Sequence, residues 1–244
     1  MAGVLPEGIT IPRVERVAAP VLAFPYPFAA HRFIPGVPAD EVRPALLPSL
    51  ARQIAATLGA IHAVPERDAR NAGITEPDFD EEGARHWINE GLNALPTLRG
   101  SQPLVDAAAN WVMRTPFPLP RYSGPRRLIH QDLSPEHILV NPATGVLTGI
   151  LDWTDTILGD PARDFVFLVA WRGWSFTEAV LGAYPHTVDA GFRDRLRFMA
   201  RLLTPVWLGY AIARGTEVEK LTTWVRNAYA PDLHDIQPSG SRRR

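Results

Sequence analysis

Two imidazoles and two carboxylates lie close together in the sequence, next to short apolar segments. His130, Asp132 and His137 fall between strand-like segments, and Asp152 stands at the end of the next such segment. Because a hairpin brings the ends of its two strands together, we expect these four side chains to surround one point. Imidazole and carboxylate ligands suit a divalent metal, and an aspartate beside that metal can accept a proton.

The spacing corresponds to the catalytic loop of kinases. There, an H-R-D-x-x-x-x-N loop supplies a base aspartate and a metal-binding asparagine, and a later D-F-G aspartate holds magnesium on the nucleotide phosphates. Here His130, Asp132 and His137 take the His, Asp and Asn positions, and Asp152-Trp153-Thr154 takes the place of D-F-G. Each aspartate could instead be a helix cap or a turn residue, since Asp favours both.

Three motifs in order resemble a known family. They are HQDLSPEHILV from His130, GILDWTD from Gly149 and DPARDF from Asp160. Together they resemble the signature of aminoglycoside and macrolide phosphotransferases, small-molecule kinases with a protein-kinase-like fold. The histidine at position 137 and the acid after Asp-Trp-Thr are most similar to macrolide 2′-phosphotransferases and aminoglycoside 2″-phosphotransferases. The resemblance covers about residues 20–230 and is strong over 128–165.

The resemblance implies a role for each matched residue. Asp132 would be the catalytic base that orients the substrate hydroxyl, and His137 and Asp152 would be the ligands of Mg²⁺. His130 and Asp164 would support the catalytic loop through backbone hydrogen bonds. The slot for the adenine or guanine of ATP or GTP would be lined by Phe33, Ile34, Leu139 and Leu151. Gln131 departs from the glycine that the family usually has.

The substrate is predicted only as a small antibiotic-like molecule with a free hydroxyl. Aminoglycosides are polycations and need a strongly acidic pocket, whereas the helices after residue 165 balance acids with arginines. Trp171 and Trp174 could line an apolar, macrolide-sized cleft in which Asp155 or Glu178 pairs with a single amine. Tryptophans on helices are, however, more often packing residues.

The kinase parts that precede the hinge have no counterpart in the first 36 residues. A Gly-rich loop is missing there, and the single lysine of the chain, Lys220, falls in the last predicted helix. The strands and helix of that lobe need about 50 residues or more. We therefore expect a truncated N-terminal lobe, so that residues 1–36 are its remnant and hinge, 37–235 the helical lobe and 236–244 a disordered tail.

Three hypotheses follow from the missing parts. The chain could be a working phosphotransferase in which Arg13 or Arg16 replaces the lysine. It could be a pseudoenzyme or binding module that keeps the substrate pocket without turnover. It could also be a truncated gene product or follow from a misplaced start codon.

Composition excludes several other classes. The 244 residues include no cysteine, so disulfides, thiolate metal sites and cysteine nucleophiles are excluded. A net charge of −1 argues against electrostatic binding of nucleic acid. Neither a membrane span nor a signal peptide is recognisable, which predicts a cytoplasmic location. An exposed strand edge would favour self-association.

Hydrophobic periodicity and prolines predict an α+β fold that is mostly α. A helix is predicted over about 48–62, where leucines and isoleucines recur at helical spacing. The remaining histidines at 31, 62, 86, 186 and 234 are treated as ordinary. Strands are predicted at 21–24 and 30–34, a hairpin at 138–140 and 147–151, and further helices at 80–95, 102–114, 161–172, 176–184, 189–213 with a kink at Pro205, and 216–229.

Overall fold

The computed structural model describes residues 3, 5, 8–76, 81–95, 103–114 and 122–230. The predicted loop around Pro118, the predicted tail at 236–244 and His234 lie outside this range. The fold is mixed α+β and mostly helical, as predicted. Its strands are β1 (Val14–Ala18), β2 (Phe28–His31), β3 (Val37–Pro38), β4 (Arg127–Ile129), β5 (Ile138–Val140), β6 (Leu147–Ile150) and β7 (Ile157–Gly159). Its α-helices are α1 (Leu47–His62), α2 (Glu66–Asn71), α3 (Glu81–Asn93), α4 (Pro103–Arg114), α5 (Val166–Ala183), α6 (Phe192–Arg214) and α7 (Val218–Tyr229).

Residue contacts divide the chain into two compact units. Unit 1 comprises Met1–Thr75, Arg126–Gly159 and Ala179–His186. Unit 2 comprises Glu76–Pro125, Asp160–Glu178 and Thr187–Arg244. The division at residues 36 and 235 expected from the sequence stays a prediction.

In unit 1, α1 supports the predicted hairpin. Its stripe of Leu50, Ile54, Leu58 and Ile61 is buried, as the helical spacing predicts. The side chain of Gln53 joins the helix to the hairpin turn, because its Nε2 donates to the Gly145 carbonyl at 3.0 Å and its Oε1 accepts from the Leu147 N–H at 2.9 Å. These two bonds fix the hairpin whose far end carries the chemistry.

The hairpin strands β5 and β6 form an antiparallel three-stranded sheet with β3, in the order β3-β5-β6. Leu139 pairs with Gly149 in this sheet. The carbonyl of Thr10 accepts a hydrogen bond from the Ile150 N–H at 2.9 Å, so the N-terminal segment follows the outer side of β6. A second pair, β4 with β7, places Ile129 opposite Ile157.

The strands predicted at 21–24 and 30–34 are wrong in position. The observed hairpin pairs β1 with β2, while Val21 and Phe24 make only an isolated bridge. Both strands are exposed over almost their whole length, so they lack the alternation of buried and exposed residues that marks a strand in sequence.

Two histidines of unit 1 outside the catalytic segment contribute to packing. The Nδ1 of buried His62 lies 2.6 Å from the hydroxyl of Tyr184, and the Nε2 of His186 donates to the Gly59 carbonyl at 2.7 Å. That these histidines have no catalytic role stays a prediction.

In unit 2, the long helix α6 packs against α3, α4 and α7. Helices α3 and α6 approach closely at Gly91 and Gly209, where a Cβ added to Gly209 would lie 1.5 Å from the Gly91 carbonyl oxygen. Pro205 lies inside α6, as predicted. None of the helices in the described part of the chain is long and apolar enough to cross a membrane.

The predicted break between the helices at 161–172 and 176–184 is present as a local disruption of α5. Gly173 has φ 75°, which is outside the helical region. The Asn227 amide donates to the carbonyls of Ala170 (2.7 Å) and Trp171 (3.2 Å), which precede this break. A side chain of α7 therefore donates hydrogen bonds to carbonyl groups that the disruption would otherwise leave without a helical donor.

Candidate active site

The catalytic segment begins where β4 ends and runs into β5. Gln131 has φ 72°, a left-handed conformation that turns the chain directly after His130. A single 3₁₀ turn follows at Pro135–His137, started by a proline that fits the first helical position. It is closed by the His137 N–H, which donates to the Ser134 carbonyl at 3.0 Å.

The imidazole of His137 is oriented by the main chain of Asp132. Its Nδ1 lies 2.7 Å from the Asp132 carbonyl oxygen. Since a carbonyl can only accept, Nδ1 is the donor in this bond, and Nε2 is the ring nitrogen left to bind a metal. That atom lies 3.9 Å from Oδ2 of Asp152. The nitrogen that is not bonded to the main chain is therefore the one that faces the second carboxylate.

Asp152 follows β6 in a left-handed conformation, with φ 53°. Aspartate is among the residues that tolerate this region best. The Thr154 hydroxyl donates to Oδ1 of Asp152, and the Thr154 N–H reaches the same oxygen at 3.4 Å. This hydrogen bonding lowers the pKa of Asp152 and leaves Oδ2 directed at His137.

The backbone of Leu151 joins the two halves of the site. Its N–H donates to the His137 carbonyl at 2.8 Å, and its carbonyl accepts from Nε2 of the buried His130, also at 2.8 Å. The ring of Trp153 packs edge-on against His130, with 4.7 Å between centroids. His130 thus holds the end of β6 beside the loop that carries Asp132.

The site brings three ligand atoms of Asp132, His137 and Asp152 within 4.8 Å of one another. Burial raises the pKa of Asp132, the two histidines oppose this rise, and the charges of Asp155 and Asp152 add to it. One imidazole nitrogen and two carboxylate oxygens fit a divalent cation such as Mg²⁺ or Mn²⁺. Asp155, predicted as a substrate contact, is exposed and near enough to influence Asp132.

Two of the four residues predicted to line a nucleotide slot border a cavity of about 720 Å³ in unit 1. Ile34 is buried at its wall, and Phe33 is 82% exposed. Among the described residues, neither Leu139 nor Leu151 lines this cavity. Leu139 is buried in the β3-β5-β6 sheet.

Arginines border the same cavity. Arg13 and Arg32 line it, whereas Arg16, the other predicted replacement for the lysine, is not among the lining residues that the structure describes. Arg32 is already paired, because its guanidinium donates to Glu15 at 2.9 and 3.1 Å. Lys220 lies in α7 of unit 2, where it pairs with Glu217 at 3.0 Å.

The remaining predicted residues lie in unit 2. Asp164 is fully buried in the 3₁₀ turn Pro161–Phe165. Trp171 is buried against Phe176, with 5.4 Å between ring centroids. The indole N–H of Trp174 is 3.4 Å from the Ala228 carbonyl oxygen.

Both tryptophans therefore make the packing contacts of helix residues, the alternative that the sequence left open. Glu178, the other predicted partner for a substrate amine, is paired with Arg193 at 2.7 Å. The carboxylate predicted to pair with a substrate amine therefore already forms a salt bridge within the protein.

Sequence reasoning gave no role to Thr154 or to the backbone of Leu151. An available signal was the Asp-x-Thr spacing, since short polar side chains often bond to groups two residues away. The Leu151 contacts use only its backbone N–H and carbonyl, so the residue type at this position does not reveal them.

The chain belongs to the APH family, described as "Phosphotransferase enzyme family", which residues 2–200 match. This agrees with the resemblance carried by the three motifs.

Similar proteins include phosphotransferases with named antibiotic substrates. Viomycin phosphotransferase of Streptomyces vinaceus is 25% identical over 183 residues, which is 70% of this chain and 58% of that protein. An uncharacterized protein, YcbJ of Bacillus subtilis (strain 168), is 31% identical over 133 residues, which is 54% of this chain and 42% of that protein. The chain thus spans between two fifths and three fifths of the length of these two relatives.

Solved structures of antibiotic phosphotransferases share the fold. The GDP complex of aminoglycoside 2′-phosphotransferase-IIIa has a TM-score of 0.63 at 22% identity, over 95% of this chain and 78% of that one. Macrolide 2′-phosphotransferase MphH from Brachybacterium faecium has a TM-score of 0.53 at 20% identity, over 94% of this chain and 76% of that one.

Proposed function

We propose that this protein transfers the γ-phosphoryl group of ATP or GTP to a hydroxyl of a small antibiotic-like molecule. The observation that carries the proposal is the convergence of Asp132, His137 and Asp152 within 4.8 Å, in a chain of the phosphotransferase family. In this reaction the hydroxyl oxygen bonds to the γ-phosphorus, the bond from that phosphorus to the β–γ bridging oxygen breaks, and the nucleoside diphosphate leaves.

Asp132 is the proposed base. Its carboxylate is partly buried beside the metal ligands, where it can orient the acceptor hydroxyl and receive its proton. His137 and Asp152 are the proposed ligands of Mg²⁺, which when bound neutralises charge on the phosphates. Positioning and electrostatics supply most of the rate enhancement in such reactions.

The cavity bordered by Phe33 and Ile34 is the proposed purine site. Its volume of about 720 Å³ is within the range of small-molecule pockets. A related fold has been solved with GDP, which supports a nucleotide donor for this chain. Arg13, which lines this cavity, is proposed to attract the phosphates.

The acceptor is proposed to be an aminoglycoside-, macrolide- or viomycin-type antibiotic, because the relatives and fold neighbours act on these. The test is transfer of label from γ-³²P ATP or GTP, with Mg²⁺, to a panel of the three classes. We expect a phosphorylated product with at least one of them.

Variants make this test specific. Asp132→Asn should lower kcat about 10²- to 10⁴-fold. Asp194→Asn, which removes an exposed acid from the first turn of α6, is the matched control and should retain activity. Label transfer that persists in Asp132→Asn would exclude Asp132 as the base.

A binding module without turnover is the alternative that the sequence left open. Family membership favours the enzyme. Calorimetry that detects nucleotide binding, together with no label transfer to any acceptor, would support the module instead.

Self-association and a cytoplasmic location stay predictions. Strands β1 and β2 are exposed, and an unpaired strand edge can bind another chain. Sedimentation at micromolar concentration tests this, and a monomer at all concentrations would contradict it.

A further inference from the structure

The cavity bordered by Phe33 and Ile34 has a single acid, Glu15, among the lining residues that the structure describes. Oε1 of Glu15 accepts two hydrogen bonds from Arg32, at 3.1 Å from Nε and 2.9 Å from Nη2. Within the described part of the chain, Oε2 accepts no hydrogen bond. Since the Glu15 side chain is 49% exposed, a molecule in the cavity can reach this oxygen.

We infer that Glu15 binds the base of the nucleotide donor and makes the site prefer guanine over adenine, and therefore GTP over ATP. The inference rests on the purine site of the proposed function. Guanine carries two adjacent N–H donors, at N1 and at the 2-amino group, whereas N1 of adenine is an acceptor. A carboxylate only accepts, so it can take both bonds from guanine, and it meets a lone pair at N1 of adenine.

Arg32 prepares Glu15 for a neutral base. Both of its bonds converge on Oε1, so they orient the carboxylate while Oε2 keeps its full capacity to accept. The pair carries no net charge, and Glu15 repels the phosphates. The aromatic face of Phe33, which is 82% exposed, is available for stacking. Stacking accepts any base, so the choice between purines falls to Glu15.

Strand β6 leads from this cavity to the catalytic end of the hairpin. Thr148 lines the cavity, and Asp152 follows it four residues later. Four residues of extended chain span at most about 14 Å, a distance that a nucleoside triphosphate can bridge from its base to its γ-phosphate. A base at Glu15 therefore lets the phosphates extend toward Asp152.

The experiment measures the Kd of GDP, IDP and ADP by isothermal titration calorimetry, using the full-length protein with Mg²⁺ and without acceptor. IDP carries hypoxanthine, which keeps the N1–H of guanine and lacks the 2-amino group. The variant is Glu15→Gln, whose amide accepts at one end and donates at the other. Glu66→Gln is the matched control, because it makes the same change in another exposed pair of unit 1, Glu66–Arg70 at 2.7 Å.

We expect the wild type to bind GDP about tenfold more tightly than ADP, which is within the discrimination of one bidentate base contact. IDP should fall between them, because it lacks one of the two donors. Glu15→Gln should weaken GDP binding about tenfold and leave ADP binding unchanged or tighter, since an amide pairs with the donor and acceptor of adenine. Glu66→Gln should match the wild type.

The other outcomes contradict the inference. Equal affinity for GDP and ADP in the wild type, or tighter binding of ADP, would exclude guanine selection. An equal loss for GDP and ADP in Glu15→Gln would mean that the Glu15–Arg32 pair only stabilises the β1–β2 hairpin. A wild-type protein that binds none of the three nucleotides would overturn the proposed purine site itself, whereas the first two results leave that site intact.

Discussion

The Nδ1 atom of His137 lies 2.7 Å from the carbonyl oxygen of Asp132, so the backbone of the proposed base orients a proposed metal ligand. The 3₁₀ turn between them enforces this relationship, because it folds the chain back within five residues. Base and ligand therefore move as one body, and a change that reorients one is expected to displace the other.

Replacing His137 should change which metals bind. His137→Gln puts an amide oxygen roughly where Nε2 stands, and oxygen ligands suit Mg²⁺ while imidazole suits Zn²⁺. We expect Zn²⁺ binding to weaken about tenfold or more and Mg²⁺ binding to change less. Competition against a chromogenic chelator measures both, with His137→Ala weakening both metals. Zn²⁺ affinity that survives in His137→Gln would show that Nε2 is not a ligand.

Removing the charge of Asp132 should stabilise the metal-free fold. Burial raises the pKa of Asp132 in the folded state, so its stabilising contribution is complete at low pH and is lost as the pH rises through that pKa. Asp132→Asn does not titrate and avoids this loss. With chelator present, its melting temperature should exceed that of the wild type at pH 7, and the difference should vanish below about pH 4. A difference that stays constant with pH would contradict the raised pKa.

Gln131 carries backbone strain at the start of the catalytic loop. Its φ of 72° costs a side-chain-bearing residue about 1–2 kcal/mol, which glycine avoids. Both variants lack the amide side chain, so Gln131→Gly should melt about 2–8 °C above the β-branched Gln131→Val. Scanning calorimetry of the three proteins provides the comparison. Equal melting temperatures for the glycine and valine variants would argue against strain at this position.

The contact between Gly91 and Gly209 leaves no room for a methyl group. Gly209→Ala would place its Cβ 1.5 Å from a backbone oxygen that cannot rotate away, so α3 and α6 must separate. We expect a loss of about 3 kcal/mol or more in urea unfolding, at the upper end of overpacking costs. Gly182→Ala in α5 is the control, because its new Cβ meets nothing within 4 Å and helix propensity predicts a gain of about 0.5–1 kcal/mol. Similar values for both variants would contradict the close approach.

Arg193 and Arg195 lie two residues apart on α6 and should differ sharply in their contributions to stability. Arg195 is 8% exposed and donates to both Asp160 and Asp189 at 2.7 Å, whereas the Arg193–Glu178 pair is about half exposed. Arg195→Leu leaves Asp160 poorly solvated and should cost about 3–5 kcal/mol. Arg193→Leu should cost about 0–1 kcal/mol.

Urea unfolding at neutral pH compares these two variants with the wild type. A smaller loss for Arg195→Leu than for Arg193→Leu would contradict this ranking. The comparison is controlled by the identical substitution on the same helix.

Elements that bury one face were predictable from sequence. Helix α1 was expected at 48–62 and extends from Leu47 to His62, because its apolar stripe meets a core. Separate helices were expected at 161–172 and 176–184, and the structure has one helix, α5, that is disrupted at Gly173. Strands β1 and β2 were misplaced because both are exposed, so no burial pattern marked them.

For the candidate site, sequence indicated the residue types and the loop but not the atoms that point inward. The hairpin argument placed His130, Asp132, His137 and Asp152 around one point. The structure has ligand atoms of the last three within 4.8 Å, whereas Nε2 of His130 is bonded to the Leu151 carbonyl. Which nitrogen of His137 faces Asp152 depends on a backbone carbonyl, and which oxygen of Asp152 faces His137 depends on Thr154. Such orientations follow from three-dimensional geometry and are not encoded in spacing.

The two backbone hydrogen bonds of Leu151 have a consequence for which substitutions the site can accept. Because the N–H and the carbonyl of Leu151 hold the His137 and His130 segments, an alanine substitution there removes a side chain but neither bond. Both hydrogen bonds of the frame around the two histidines are thus independent of the side chain at this position. Replacing the amide of residue 151 by an ester, rather than replacing its side chain, is the chemical change that would loosen this frame.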